Sequence, residues 1–171
     1  MTARSDAGDT YHPWTTYIRA REEARRRGDR KVGTDHLLLG LLHDRAIASA
    51  LGTDLQAARA AVDALDREAL GTLGITTALD APPLPMRQTP ARPTLKAVLT
   101  GLLPLTPAAK RALAEAGKPM RRGGRITAEQ VLLRLLDQQA PDPAAALLAA
   151  LGVDRAAVQG RLGAAPTALA G

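Results

Sequence analysis

The chain has 171 residues, carries a formal net charge of +6, and is 46% hydrophobic although it holds no Phe, one Trp and two Tyr. A core drawn from Ala, Leu and Val favours closely packed helices over strands, which want β-branched and aromatic residues. No cysteine is present, which excludes disulfides, a thiolate nucleophile and cysteine-ligated zinc or iron–sulfur sites.

The N-terminal stretch MTARSDAGDTYHPW is polar, with no apolar run of the kind a signal peptide needs. No 18-residue apolar stretch occurs either, so the expectation is a soluble cytoplasmic protein that does not enter a membrane. The sequence pI of about 10.5 permits anionic partners without demanding them.

Along the chain, TYHPWTTYIRAREEARRRG reads as a helix of roughly four turns with Thr10 or Asp9 as N-cap. RKVGTDHLLLGLLHD reads as a second, leucine-rich helix. In IASALGTDLQAARAAVDALDREAL, Gly52 ends a short helix and Asp54 caps the next. LDAPPLPMRQTPARPT, Leu79 to Thr94, then places five prolines in a stretch that cannot be a continuous helix and suits an extended connector. LKAVLTGLL, Leu95 to Leu103, has the composition of a short additional helix.

The order then repeats. LTPAAKRALAEAGKPM has Thr106 as N-cap and Pro107 at the first helical position. RITAEQVLLRLLDQ has Thr127 followed three residues later by Gln130, the spacing of a capping box. In AAALLAALGVDRAAVQGRL, Gly152 and Asp154 take the places of Gly52 and Asp54. Aligned on their leucines, Leu38, Leu39, Leu41 and Leu42 correspond to Leu132, Leu133, Leu135 and Leu136. The spacing predicts an all-α fold of two pseudo-symmetric four-helix repeats, residues 10–78 and 105–163, joined by a Pro-rich connector over 79–104.

The run AREEARRRGDRKVGTDHLLLGLLHD with its following LGTD, and LTPAAKRAL in the second half, resemble the Clp N-terminal domain. That double four-helix module stands at the front of Clp ATPases of the ClpC and ClpA types. No GxxxxGK[ST] occurs in the chain, so the resemblance is to the recognition module without its ATPase. It implies a non-enzymatic module that binds substrates, adaptors or peptides of the Clp system, needs no cofactor, and resembles the target of certain cyclic-peptide antibiotics. The second repeat departs from the pattern: Ala128, Gln130 and Arg134 stand where the first has Thr34, His36 and Gly40. Asp9 and Leu105 stand where the family places an aromatic before the first-helix Thr.

Seven residues are candidates by this resemblance. Asp35 and Glu129 fall in the first turn of equivalent helices, where the helix dipole alone favours a carboxylate; the resemblance adds contact with the guanidinium of phosphorylated arginine, which a carboxylate can hold with two hydrogen bonds. Thr10, Leu105, Thr106, Lys110 and Leu113 match the stretch that lines the family's peptide groove. His36 is read as structural, an imidazole hydrogen-bonded across the helix start, because no second metal ligand lies three or four residues away. The basic runs Arg19–Lys31 and Lys118–Arg125 read as solvated faces, Glu22 and Glu23 forming intrahelical pairs with Arg19, Arg26 and Arg27. No aromatic is interleaved for base stacking, and the only serines are Ser5 and Ser49, neither in a G-x-S-x-G. The leading expectation is an accessory binding protein of a Clp ATPase, its substrates or its adaptors. The alternatives are a decoy that sequesters Clp-targeting cyclic peptides and, behind it, a DNA-binding regulator.

Overall fold

The computed structural model describes residues 13–74, 102–117 and 126–163. The expected N-cap at Asp9 or Thr10, the Pro-rich stretch 79–94 and the basic run 118–125 lie outside these residues, as do positions 95–101 of the expected additional helix. Among the described residues there are eight helices and no strand longer than one bridged pair. The all-α expectation is met.

Helix α1 is Pro13–Arg27, α2 Thr34–Leu41, α3 Arg45–Leu51 and α4 Leu55–Thr72; α5 is Pro107–Ala116, α6 Ala128–Leu136, α7 Pro143–Ala150 and α8 Arg155–Gly163. Each boundary has a local cause. Gly28 closes α1 at φ 78°, a left-handed conformation that glycine adopts without steric cost, and the Asp29 amide donates back to the Ala24 carbonyl at 2.8 Å. Leu-Gly-x-Asp works identically twice: Gly52 and Gly152 end α3 and α7 at φ 70° and 64°, and Asp54 and Asp154 accept from the amides of Ala57 and Ala157. Thr106 caps α5 through the Ala109 amide, and Thr127 and Gln130 exchange hydrogen bonds at 3.2 and 3.0 Å to form the anticipated box on α6.

Helix α2 is the hub. Its leucines at 37, 38, 39 and 41 are buried on every side, as expected of a helix that is apolar all round. It touches α1, α4, α5, α6 and α7. Contact with α1 is closest at Gly40: a Cβ there would lie 2.9 Å from both the Thr16 carbonyl and the Ala20 amide nitrogen. The α1 face opposite is correspondingly small, with Ala20 and Ala24 fully buried.

The connection between α1 and α2 ties this half to the other. Val32 forms a parallel bridge with Leu105: its amide donates to the Pro104 carbonyl and its carbonyl accepts from the Thr106 amide, both at 2.9 Å. Tyr17 on α1 donates its hydroxyl to the Leu103 carbonyl at 2.7 Å. Thr34, at the start of α2, donates to Asp142, the N-cap of α7, at 2.8 Å. Leu102 to Pro104 therefore form the irregular approach to this bridge and not the end of a helix.

The close approach at Gly40 sets a sign. In an open helix, Gly→Ala stabilises by about 1 kcal/mol. At Gly40 the methyl meets backbone that cannot move without shifting α1, so Gly40→Ala destabilises by about 1–3 kcal/mol. Gly160 in α8 has nothing within 4 Å of its Cβ position, and Gly160→Ala raises stability. Urea unfolding of the two variants beside the parent protein reads both signs.

Candidate functional site

The start of α2 holds the first candidate carboxylate. Asp35 is only 9% exposed and is already partnered: Arg27, from the last turn of α1, places Nη1 2.9 Å from its Oδ2. The same guanidinium sends Nη2 to Asp66 of α4 at 2.8 Å and lies 3.7 Å from Asp29. Burial pulls the Arg27 pKa down, but the charges of Asp66, Asp29 and Asp35 outweigh it and hold the pKa above its usual value. Asp35 thus sits near the positive end of α2 and is also the buried member of a half-buried ion-pair network whose Asp29 and Asp66 reach solvent. The dipole reading of this residue is incomplete without Arg27.

His36 closes the helix start. Its Nδ1 accepts from the Gly33 amide at 3.0 Å, which leaves the ring proton on Nε2, 3.0 Å from Asp29 Oδ2. The imidazole is buried and fully engaged within the chain, in the role expected of it.

The equivalent carboxylate in the second half has different surroundings. Glu129 is exposed on the first turn of α6 and has no partner among the described residues. Ala128 beside it lacks the hydroxyl by which Thr34 reaches Asp142, and Asp44, the N-cap of α3, accepts only from its own helix, at the Ala46 amide. The structure therefore separates the two carboxylates by environment, one closed and one open.

Leu105, Thr106, Lys110 and Leu113 come together along the bridge segment and α5. Leu105 and Leu113 are half-buried against the core, Thr106 caps the helix, and Lys110 is exposed one turn along. Thr10 lies outside the described residues. Across from the bridge segment, Trp14 and Tyr17 stack with ring centroids 5.1 Å apart, and Trp14 remains 52% exposed. Tyr17 is the link, since its hydroxyl is bonded to Leu103. Burial raises the Tyr17 pKa, against the pull of Arg21 and of that hydrogen bond. Sequence reading looked for an aromatic immediately before the first-helix Thr and so passed over this pair. Its signal was present in the three-residue spacing of Trp14 and Tyr17, which puts both on one helix face.

The reading of Glu23 as part of a solvated face is corrected by the structure. Glu22 is exposed, but Glu23 is 2% exposed and receives four donors. Arg59 of α4 binds it through Nη2 and Nε at 2.5 and 3.0 Å, His43 through Nε2 at 3.1 Å, and Arg26 through Nε at 3.2 Å. Burial pushes its pKa up, yet the hydrogen bonds from Arg59 and His43 and the charge of Arg59 prevail and hold it at about 2. The i,i+3 pair with Arg26 was readable from sequence; Arg59, 36 residues away, was not.

A family model described as the Clp repeat N-terminal domain matches residues 10–141. The chain belongs to that family. Comparison with curated proteins finds no match. Membership associates this Clp repeat domain with the Clp chaperone–protease system, through a module that binds rather than catalyses. No described helix is long and apolar enough to cross a membrane.

Glu23 gives the Clp repeat domain a defined acid sensitivity. Its folded pKa, about 2, lies below the ordinary 4.5, so the stability it contributes is fully present above 4.5 and lost as pH falls from there toward 2. Glu23→Gln costs roughly 2–4 kcal/mol at neutral pH by leaving buried donors without their anion, and flattens the stability profile in that acid window. Thermal unfolding from pH 7 to pH 2.5 measures both effects.

Proposed function

We propose that this chain is a non-enzymatic accessory module of a Clp system, built of two four-helix repeats over residues 10–78 and 105–163 joined by 79–104. It captures an apolar polypeptide segment of a client or adaptor on the face where α1 meets the bridge segment before α5. One observation carries this reading: a half-exposed tryptophan stacked on a tyrosine that is itself anchored to the bridge segment. An aromatic held rigidly at the surface contributes large contact area with little entropy left to lose, as binding hot spots do.

Leu105 and Leu113 add half-buried apolar surface on the bridge segment and α5, and Thr106 fixes the start of α5, where Lys110 is exposed one turn along. Lys110 and Glu129 supply charge at the rim, where they set partner choice more than affinity. Asp35 is assigned to the framework here, because Arg27 occupies it. Glu129 is the carboxylate left to meet a cationic group of a ligand.

Trp14 is the single tryptophan of the chain, so its emission reports this face directly. Titration with β-casein, an extended apolar-rich polypeptide, is expected to shift that emission to the blue and saturate. Trp14→Ala lowers affinity at least tenfold in anisotropy of labelled casein, about 1.4 kcal/mol, with unfolding midpoint unchanged because the side chain is half exposed. Lys110→Glu changes the salt dependence. Equal affinity of Trp14→Ala and parent for casein would remove the reading.

A further inference from the structure

A second surface lies away from this face, where the end of α2, the exposed side of α3 and the start of α4 enclose an open cleft of about 350 Å³. Its apolar wall is formed by Leu42, Ala48 and Leu55, and its rim by His43, Arg45 and Asp54. Glu23, the α1 residue bonded to His43 of the cleft, lies nine positions from Trp14, about 14 Å along the helix. We propose that this cleft binds the C-terminal carboxylate of a polypeptide whose last residue is aliphatic.

Charge decides the end of the chain. Arg45 is exposed, lines the cleft, and has no hydrogen bond or ion pair among the described residues. His43 gives Nε2 to Glu23, so that atom carries the ring proton and only Nδ1 is left for a ligand. Asp54 uses one oxygen to cap α4 at the Ala57 amide, 2.8 Å away. One uncommitted guanidinium opposed by one partly committed carboxylate suits a monoanion and disfavours a phosphate dianion. The aliphatic wall supplies what an inorganic anion cannot use, a place for a side chain of leucine or valine size.

The second half serves as an internal control, for its described residues differ at the two positions that matter here. Arg155 stands at the position of Leu55, and its guanidinium donates to the carbonyls of Gln138, Ala145 and Leu136 at 2.6, 3.1 and 3.4 Å. Pro143 opens α7 where Arg45 opens α3. The equivalent space therefore keeps Leu136 and Ala146 but has a committed cation where Leu55 completes the apolar wall, and Pro143 where Arg45 supplies the free guanidinium.

The probes are acetyl-Ala-Ala-Leu with a free carboxylate and the same peptide as its C-terminal amide, titrated into the full-length ¹⁵N-labelled protein. The acid is expected to shift the amides of Leu42 to Ala48 and of Leu55 and Gln56, and to bind at least fivefold more tightly than the amide form. Arg45→Ala abolishes that difference while leaving the amide-terminated peptide unaffected, and the exposed position of Arg45 keeps the fold intact. Equal affinity of acid and amide, or an Arg45→Ala variant that titrates like the parent, overturns the proposal. Inorganic phosphate shifting the same amides as strongly as the acid peptide would reduce the cleft to a general anion site and also overturn it. Shifts confined to Trp14 and its neighbours would overturn this site while leaving the proposed face at Trp14 standing.

Discussion

The short connection from Val32 to His36 is the constraint on which the rest of the structure depends. Five consecutive residues tie together elements that are remote in sequence. Val32 bridges to the segment before α5, Gly33 and His36 close the start of α2, Thr34 reaches the cap of α7, and Asp35 takes the guanidinium that ends α1. On the side of the connection every residue is buried, and leaving a buried polar group unpaired costs more than the pair itself contributes. The connection can therefore take this form only when both halves are docked. Leucines in the following helix then fill the space between them.

This arrangement also explains why the proposed binding face exists. An exposed tryptophan on a helix end is of little use if the helix frays. Here α1 is held from three sides: by the close approach of α2 at Gly40, by Arg59 clasping Glu23, and by the Tyr17 hydroxyl on Leu103. The aromatic pair stands on a rigid support beside the half-buried leucines of the bridge segment. Charge plays two separate roles. Ion pairs on the buried Glu23 and Asp35 hold the helices in place, whereas Lys110, Glu129 and Arg45 remain at the surface where a partner can reach them.

Much of the fold was legible in the sequence because it rests on local chemistry. Helix ends at Gly52 and Gly152, caps at Asp54, Asp154 and Thr106, and the box of Thr127 with Gln130 all involve partners within a few residues, and each forms as its spacing dictates. The role of His36 was readable for the same reason, its acceptor atom meeting an amide three residues back. What could not be read was long-range. Glu23 looks like any surface glutamate between arginines until α4 brings Arg59 onto it, and Asp35 looks like a plain first-turn acid until α1 delivers Arg27. Trp14 and Tyr17 acquire meaning only beside Leu103, 86 residues after the tyrosine.

Docking of the two halves into one body through this connection is the central claim, and amide hydrogen exchange of Val32 and Thr106 tests it most directly. Their amides donate across the bridge, to Pro104 and Val32 respectively, and to nothing in their own helices. If the halves open only with global unfolding, both amides exchange with protection close to that of the α2 leucines, and protection falls in step with them as urea is added. Fast exchange at Val32 and Thr106 while α2 and α6 stay protected would mean that the halves separate freely, and would contradict the account.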